Sequence, residues 1–86
     1  MIVRYKLFTT PMCPNCPDVK EFMKTTNLEG EVVDASDPKG LQEASVYGIS
    51  SVPTVVFLDE DNKVVNTATT IEEIKRIIEN KSLKDI

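Results

Sequence analysis

The sequence predicts an α/β domain: a four-stranded mixed sheet with three flanking helices, in the order β-α-β-α-β-β-α. Three observations carry that prediction. Apolar, β-branched runs alternate with segments of helical periodicity along nearly the whole chain. The first two strand-like runs are each followed by a helix-like one, which implies a parallel pair joined by a right-handed crossover. The last two strand-like runs are separated only by Asp59-Glu60-Asp61-Asn62, a span short enough for an antiparallel hairpin.

Ile2 to Phe8 (IVRYKLF) is β-branched and aromatic and reads as the first strand. Thr9 to Met12 follows as a loop. A helix is expected from about Pro14 to Thr26, because Val19, Phe22 and Met23 recur at helical spacing and Cys16 lies one turn ahead on the same stripe. Pro14 and Pro17 would sit in its first turn, where N–H groups have no intrahelical acceptor and a proline is tolerated. Asn27 and Gly30 are expected to close this segment, and Glu31 to Asp34 forms a short second strand. Asp37-Pro38 reads as an N-cap followed by proline at the first helical position. Leu41, Ala44 and Tyr47 are expected to face inward, and Gly48 suits the helix stop. Thr54 to Leu58 (TVVFL) is the most strand-like run, and Lys63 to Asn66 returns beside it. Thr70-Ile71-Glu72-Glu73 reads as a capping box, in which the Thr hydroxyl and the Glu carboxylate satisfy free N–H groups reciprocally. Ile71, Ile74, Ile77 and Ile78 then form the apolar stripe of a last helix.

Bulk composition narrows the function. With 86 residues the chain is expected to be a single domain, 1–86, without room for a second. Hydrophobic residues at 41% against 28% charged fit a packed globule and argue against disorder. The net charge of −4 and the lack of a basic run argue against nucleic acid, since phosphate binding needs clustered Lys and Arg. No apolar stretch approaches the ~20 residues of a membrane span. MIVRYKLF has no apolar signal-peptide core, so a cytoplasmic location is expected.

The only two cysteines, Cys13 and Cys16, stand in TTPMCPNCPDV. In the cytosol a structural disulfide is rare, and a close pair is more often redox-active or metal-bound. A closed zinc or iron–sulfur site usually needs four Cys or His ligands. The chain has no histidine and no third cysteine, so no metal and no cofactor are assigned. A thiolate is the attacking species in disulfide exchange. Cys13 at the mouth of the predicted helix would be stabilised as a thiolate by free N–H groups and the helix dipole. Cys16, on the buried stripe, would resolve the mixed disulfide that Cys13 forms. Pro14 and Asn15 fix the loop between them and are expected to tune the pair.

A second motif, Ser50-Ser51-Val52-Pro53-Thr54, places a proline just ahead of the strongest strand. Taken with Cys13-Pro14-Asn15-Cys16 after the first strand, it resembles the thioredoxin/glutaredoxin superfamily, and the resemblance extends over essentially the whole chain. It implies a minimal thioredoxin fold. It also implies a cis Val52–Pro53 peptide beside Cys13, with Val52, Pro53, Thr54 and Met12 forming the edge that receives an extended substrate.

Size and the CPNC motif are similar to glutaredoxins. Those that use glutathione hold it partly through a basic residue ahead of the motif and an Asp capping the last helix. Here Thr9 to Met12 and Asn66 to Thr70 fill those places without a charge. Thioredoxins carry a Trp before the first cysteine and a buried acid in the first strand; here Met12 and Leu7 stand there. The best match is the group of small glutaredoxin-like redoxins that behave as thioredoxins. That resemblance implies a monomeric dithiol–disulfide oxidoreductase that draws electrons from a flavin-dependent reductase. Its partners would be proteins with disulfides, ribonucleotide reductase among them. Two alternatives stay open: a glutathione-dependent glutaredoxin, and an iron–sulfur cluster carrier using Cys13.

Overall fold

The computed structural model describes residues 2–84. The elements follow the expected order: β1 (Arg4–Thr9), α1 (Cys16–Lys24), β2 (Glu29–Asp34), α2 (Pro38–Val46), β3 (Thr54–Leu58), β4 (Val64–Ala68) and α3 (Ile71–Lys84). The four strands form one sheet in the order β2-β1-β3-β4. β1 and β2 are parallel, with Tyr5 opposite Gly30 and Phe8 opposite Val33. β1 and β3 are antiparallel from Arg4↔Leu58 to Phe8↔Thr54. β4 returns antiparallel to β3, with an irregularity at Phe57/Leu58.

Side-chain alternation divides the core between the two faces of the sheet. Leu7, Val55 and Phe57 point to one face and pack with Val19 and Met23 of α1 and Ile74 of α3. Phe8, Val56 and Leu58 point to the other and pack with Ala44 of α2. Every residue of β3 is buried, which explains why TVVFL is apolar without alternation: helices cover both sides of it.

Several boundaries differ from the sequence expectation. β1 begins at Arg4, although Ile2 is buried in the core and the Val3 N–H donates to the Leu58 carbonyl (2.9 Å). α1 begins at Cys16 rather than Pro14, with Asn15 as its N-cap and Pro17 in its first turn. The Cys13 N–H is taken by the Thr10 carbonyl at 3.2 Å, a turn that precedes the helix. α1 stops at Lys24 because the Thr25 and Thr26 hydroxyls donate to the Phe22 and Met23 carbonyls (2.6 and 2.7 Å), closing the last turn. Gly30 lies inside β2 instead of ending a segment. The Tyr5 ring lies over its backbone in space that a Cβ would occupy.

α2 carries the clearest correction. Asp37 caps it through the Lys39 N–H (3.2 Å), and Pro38 fills its first position. Leu41 does not face inward; it is 58% exposed. Gly40 and Ala44 make the contact surface. A Cβ on Gly40 would collide with the Asp34 carbonyl, so the helix lies close against the end of β2 and rotates Leu41 outward. The helix ends at Gly48 with φ +69, as a left-handed terminator, and the Ile49 N–H reaches the Ala44 carbonyl (2.8 Å).

β4 runs to Ala68, two residues beyond the expected Asn66, because Ala68 is a buried core residue. The hairpin is held by Asp59, whose Oδ1 accepts the Asp61 and Lys63 N–H groups (2.8 and 2.9 Å), and by Asn62 at φ 64. At the head of α3, Thr70 Oγ1 accepts the Glu73 N–H (3.1 Å). The Glu73 carboxylate accepts from the N–H and hydroxyl of Thr69 (3.0 and 2.7 Å). The capping box therefore closes one residue earlier on its return arm than the sequence suggested.

Candidate functional site

The two cysteines are joined. Cys13 and Cys16 form a disulfide with their Cα atoms 5.4 Å apart. Local sequence produces this arrangement: the Thr10–Cys13 turn, then Asn15, whose carbonyl accepts the Val19 N–H as α1 starts. The two halves differ in environment. Cys16 is only 5% exposed and lies on the stripe of Val19 and Met23 that faces the sheet. Cys13 is half-buried and belongs to the loop. Met12, Pro14 and Asn15 are exposed around it, Met12 almost fully at 89%.

The second motif reaches the same end of the sheet through the β1·β3 ladder. Phe8 pairs with Thr54, so the segment leaving β1 toward Cys13 and the segment entering β3 from Val52 and Pro53 emerge beside one another. The Val52–Pro53 peptide is cis. Pro53 and Thr54 are buried, and the Thr54 hydroxyl donates to the Ser51 carbonyl (2.7 Å). Val52 is half-buried against the cluster of Phe8, Ala44, Val56 and Leu58. Leu7 is fully buried, so the position in β1 under this end of the sheet is apolar.

A pocket of about 410 Å³ opens between the first turns of α1 and α3. Asn15, Asp18 and Val19 line one side, and Thr69 to Glu72 the other. Sequence reasoning did not single out Asp18 or Glu72. Their only sequence mark is an acidic residue in the first turn of a helix, a common feature that complements the helix dipole. What sets them apart is that the fold brings both to one pocket next to the cysteine-bearing helix.

Comparison with known proteins bears on the whole chain. The family model for glutaredoxin matches residues 6–61. A thioredoxin of Methanocaldococcus jannaschii is 34% identical over 83 residues, covering 86% of this chain and 94% of its own length. A probable thioredoxin of Archaeoglobus fulgidus is 36% identical over 63 residues, 69% of each chain. Among solved structures, thioredoxin 1 of Thermosipho africanus superposes with a TM-score of 0.77 at 20% identity, covering 96% of this chain and 98% of its own. Thioredoxin f2, solved in complex with ferredoxin:thioredoxin reductase, gives 0.74 at 22% identity, covering 91% of this chain and 76% of its own.

Proposed function

The chain belongs to the glutaredoxin family within the thioredoxin/glutaredoxin superfamily, and from that premise we propose that it is a dithiol–disulfide oxidoreductase that reduces protein disulfides through Cys13 and Cys16. The observation that carries this reading is the asymmetry of the pair: a half-buried Cys13 on a loop, joined to a Cys16 sealed against the core.

In the reduced protein the Cys13 thiolate attacks one sulfur of a substrate disulfide. A Cys13–substrate mixed disulfide forms, and the first substrate thiolate leaves. Cys16, deprotonated in turn, attacks the Cys13 Sγ. The Cys13–Cys16 disulfide forms and the second substrate thiol is released, so two electrons have passed from protein to substrate. Exposure favours Cys13 for the first step, since only it can meet an external disulfide. Burial favours Cys16 for the second, because there it meets Cys13 alone. Pro14 and Asn15 span the pair and set its loop.

Val52 and Met12 form the accessible part of the edge that receives the substrate, and the buried Pro53 and Thr54 hold that edge in place. An extended substrate strand could take its backbone hydrogen bonds from the Val52 segment, as in strand addition, while the exposed Met12 supplies an adaptable apolar contact. The oxidised pair is regenerated by a flavin-dependent reductase. Thioredoxin f2, which shares this fold, is held by ferredoxin:thioredoxin reductase, and that supports a reductase as the donor class. The glutaredoxin family match supports a second reading, in which glutathione is the reductant.

The deciding experiment drives reduction of a protein disulfide by this chain with a NADPH-linked reductase or, separately, with glutathione. The proposal expects turnover with the reductase and little with glutathione. The reverse result would establish the glutathione reading, and no turnover with either would remove both.

A further inference from the structure

Thr54 is the one polar residue of β3 and the one buried polar side chain among the described residues. The rest of the strand is valine, phenylalanine and leucine. A valine has the same shape and would be buried there without a hydroxyl to satisfy. The Thr54 hydroxyl makes a single bond, donating to the Ser51 carbonyl at 2.7 Å. Ser50, Ser51 and Val52 make no other hydrogen bond among the described residues. The chain is held before them by the Ile49 N–H on the Ala44 carbonyl (2.8 Å) and after them by the pairing of Thr54 with Phe8. Between those two points, the Thr54–Ser51 bond is the polar restraint on the segment that leads to Val52 and Pro53.

Peptide geometry turns that restraint into an orientation. The one cis peptide among the described residues is Val52–Pro53, so the Ser51–Val52 peptide is trans. In a planar trans peptide the C=O and the N–H point in opposite directions. With the Ser51 carbonyl held by the buried Thr54, the Val52 N–H is aimed away from Thr54. It has no acceptor among the described residues. The Val52 side chain packs against the cluster of Phe8, Ala44, Val56 and Leu58, which fixes the same residue from its other side. We infer that Thr54 is a positioning residue: by holding the Ser51 carbonyl it directs the Val52 N–H toward a backbone carbonyl of the substrate strand. This assignment rests on the protein-disulfide reading of the Cys13–Cys16 pair and deepens it to a substrate class. The favoured substrate is a disulfide within an extended polypeptide, taken through its backbone, in preference to a small disulfide without amides.

The test is a single-turnover measurement with the full chain, pre-reduced and freed of reductant. Two substrates are compared: the symmetric disulfide of a linear synthetic peptide carrying one cysteine, and bis(2-hydroxyethyl) disulfide, which has no amide. Each takes two electrons and two protons to become two thiols as the Cys13–Cys16 disulfide forms. Thr54→Val keeps the shape of the side chain and removes the donor; Thr54→Ser keeps the donor and removes a methyl group. The ratio of the peptide rate to the small-disulfide rate should fall roughly two- to tenfold in Thr54→Val, the range of one ordinary hydrogen bond, and return to within about twofold of the parent in Thr54→Ser. A general loosening of the site slows both substrates and leaves the ratio as it was. An unchanged ratio in Thr54→Val, or an equal fall in Thr54→Ser, would overturn the positioning role. A second measurement does not depend on how the Thr54 variants fold. In Cys16→Ser carrying the peptide as a mixed disulfide on Cys13, the Val52 amide should exchange with solvent more slowly than in the same protein without the peptide. Equal exchange would overturn the contact that Thr54 is said to aim. Reduction of neither disulfide by the parent would instead overturn the redox reading itself.

Discussion

Phe8 and Thr54 stand opposite each other at the end of the β1·β3 ladder. That one pairing brings together two segments more than forty residues apart in sequence. The chain leaving Phe8 turns at Thr10 and arrives at Cys13, while the chain entering Thr54 comes through Val52 and Pro53. Phe8 is fully buried and Thr54 nearly so, so the two segments are anchored on core positions of the central strands. The candidate site is thus mounted on the buried central strands, although Cys13 and the Val52–Pro53 segment lie in loops.

Thiol labelling tests the asymmetry of the cysteines. In the reduced protein a small alkylating agent near pH 6 should modify Cys13 well before Cys16, because Cys16 is 5% exposed and Cys13 is half-buried. Peptide mapping after a brief pulse reads the order. Preferential labelling of Cys16 would exchange the roles assigned above.

Trapping tests the direction of the reaction. Cys16→Ser keeps the attacking thiol and removes the resolving one, so a disulfide substrate should accumulate as a mixed disulfide on Cys13. Non-reducing electrophoresis detects the adduct. Equal trapping by Cys13→Ser would contradict a fixed direction.

The close approach of α2 to β2 is tested at Gly40. Gly40→Ala should destabilise the protein despite a helix-propensity gain of about 1 kcal/mol. The added methyl meets the Asp34 backbone carbonyl, which cannot rotate away, and overpacking typically costs about 1–3 kcal/mol. Urea unfolding measures the balance; a variant as stable as the parent would show that α2 can slide outward freely.

Leu41 and Ile74 separate surface from core. Ile74→Ala removes a fully buried side chain from the cluster with Val19, Met23 and Phe57 and should cost about 2–5 kcal/mol. Leu41→Ala, at a 58% exposed position, should stay within about 0.5 kcal/mol of the parent. Comparable losses in the two variants would place Leu41 in the core, where the sequence alone had suggested it.

Acid should loosen the head of α3. Glu73 has its pKa lowered, first by the Thr69 hydroxyl and then by the Thr69 N–H, both of which donate to the ionised carboxylate. A folded-state pKa below the unfolded value means a stabilisation present above the unfolded pKa and lost as pH falls through the folded one. The loss therefore begins near the ordinary glutamate value of 4.5 and continues below it. Urea titrations at pH 7 and pH 3 should show a smaller acid-induced loss in Glu73→Gln than in the parent. Identical losses would mean that the Thr69–Glu73 contact carries no pH-dependent stability.

What the sequence determined by itself is what local chemistry encodes. Strand and helix order, the Asp37-Pro38 start, the Gly48 stop and the isoleucine stripe of α3 all depend on residues within a turn or two of one another. The CPNC pair and the Val52-Pro53-Thr54 segment were legible for the same reason, each being a short run with its own signature. The ends of elements were less legible. α1 starts two residues late because the Thr10–Cys13 turn claims the N–H that precedes it. β4 runs long because Ala68 finds a core to enter. Only the tertiary structure decided that Leu41 faces out, since the contact that rotates α2 is between Gly40 and the backbone of a different element. It alone also brought Asp18 and Glu72 to one pocket. A charge has no periodicity that announces its partner, and residues on two helices fifty-four positions apart meet only once the sheet has set where those helices begin.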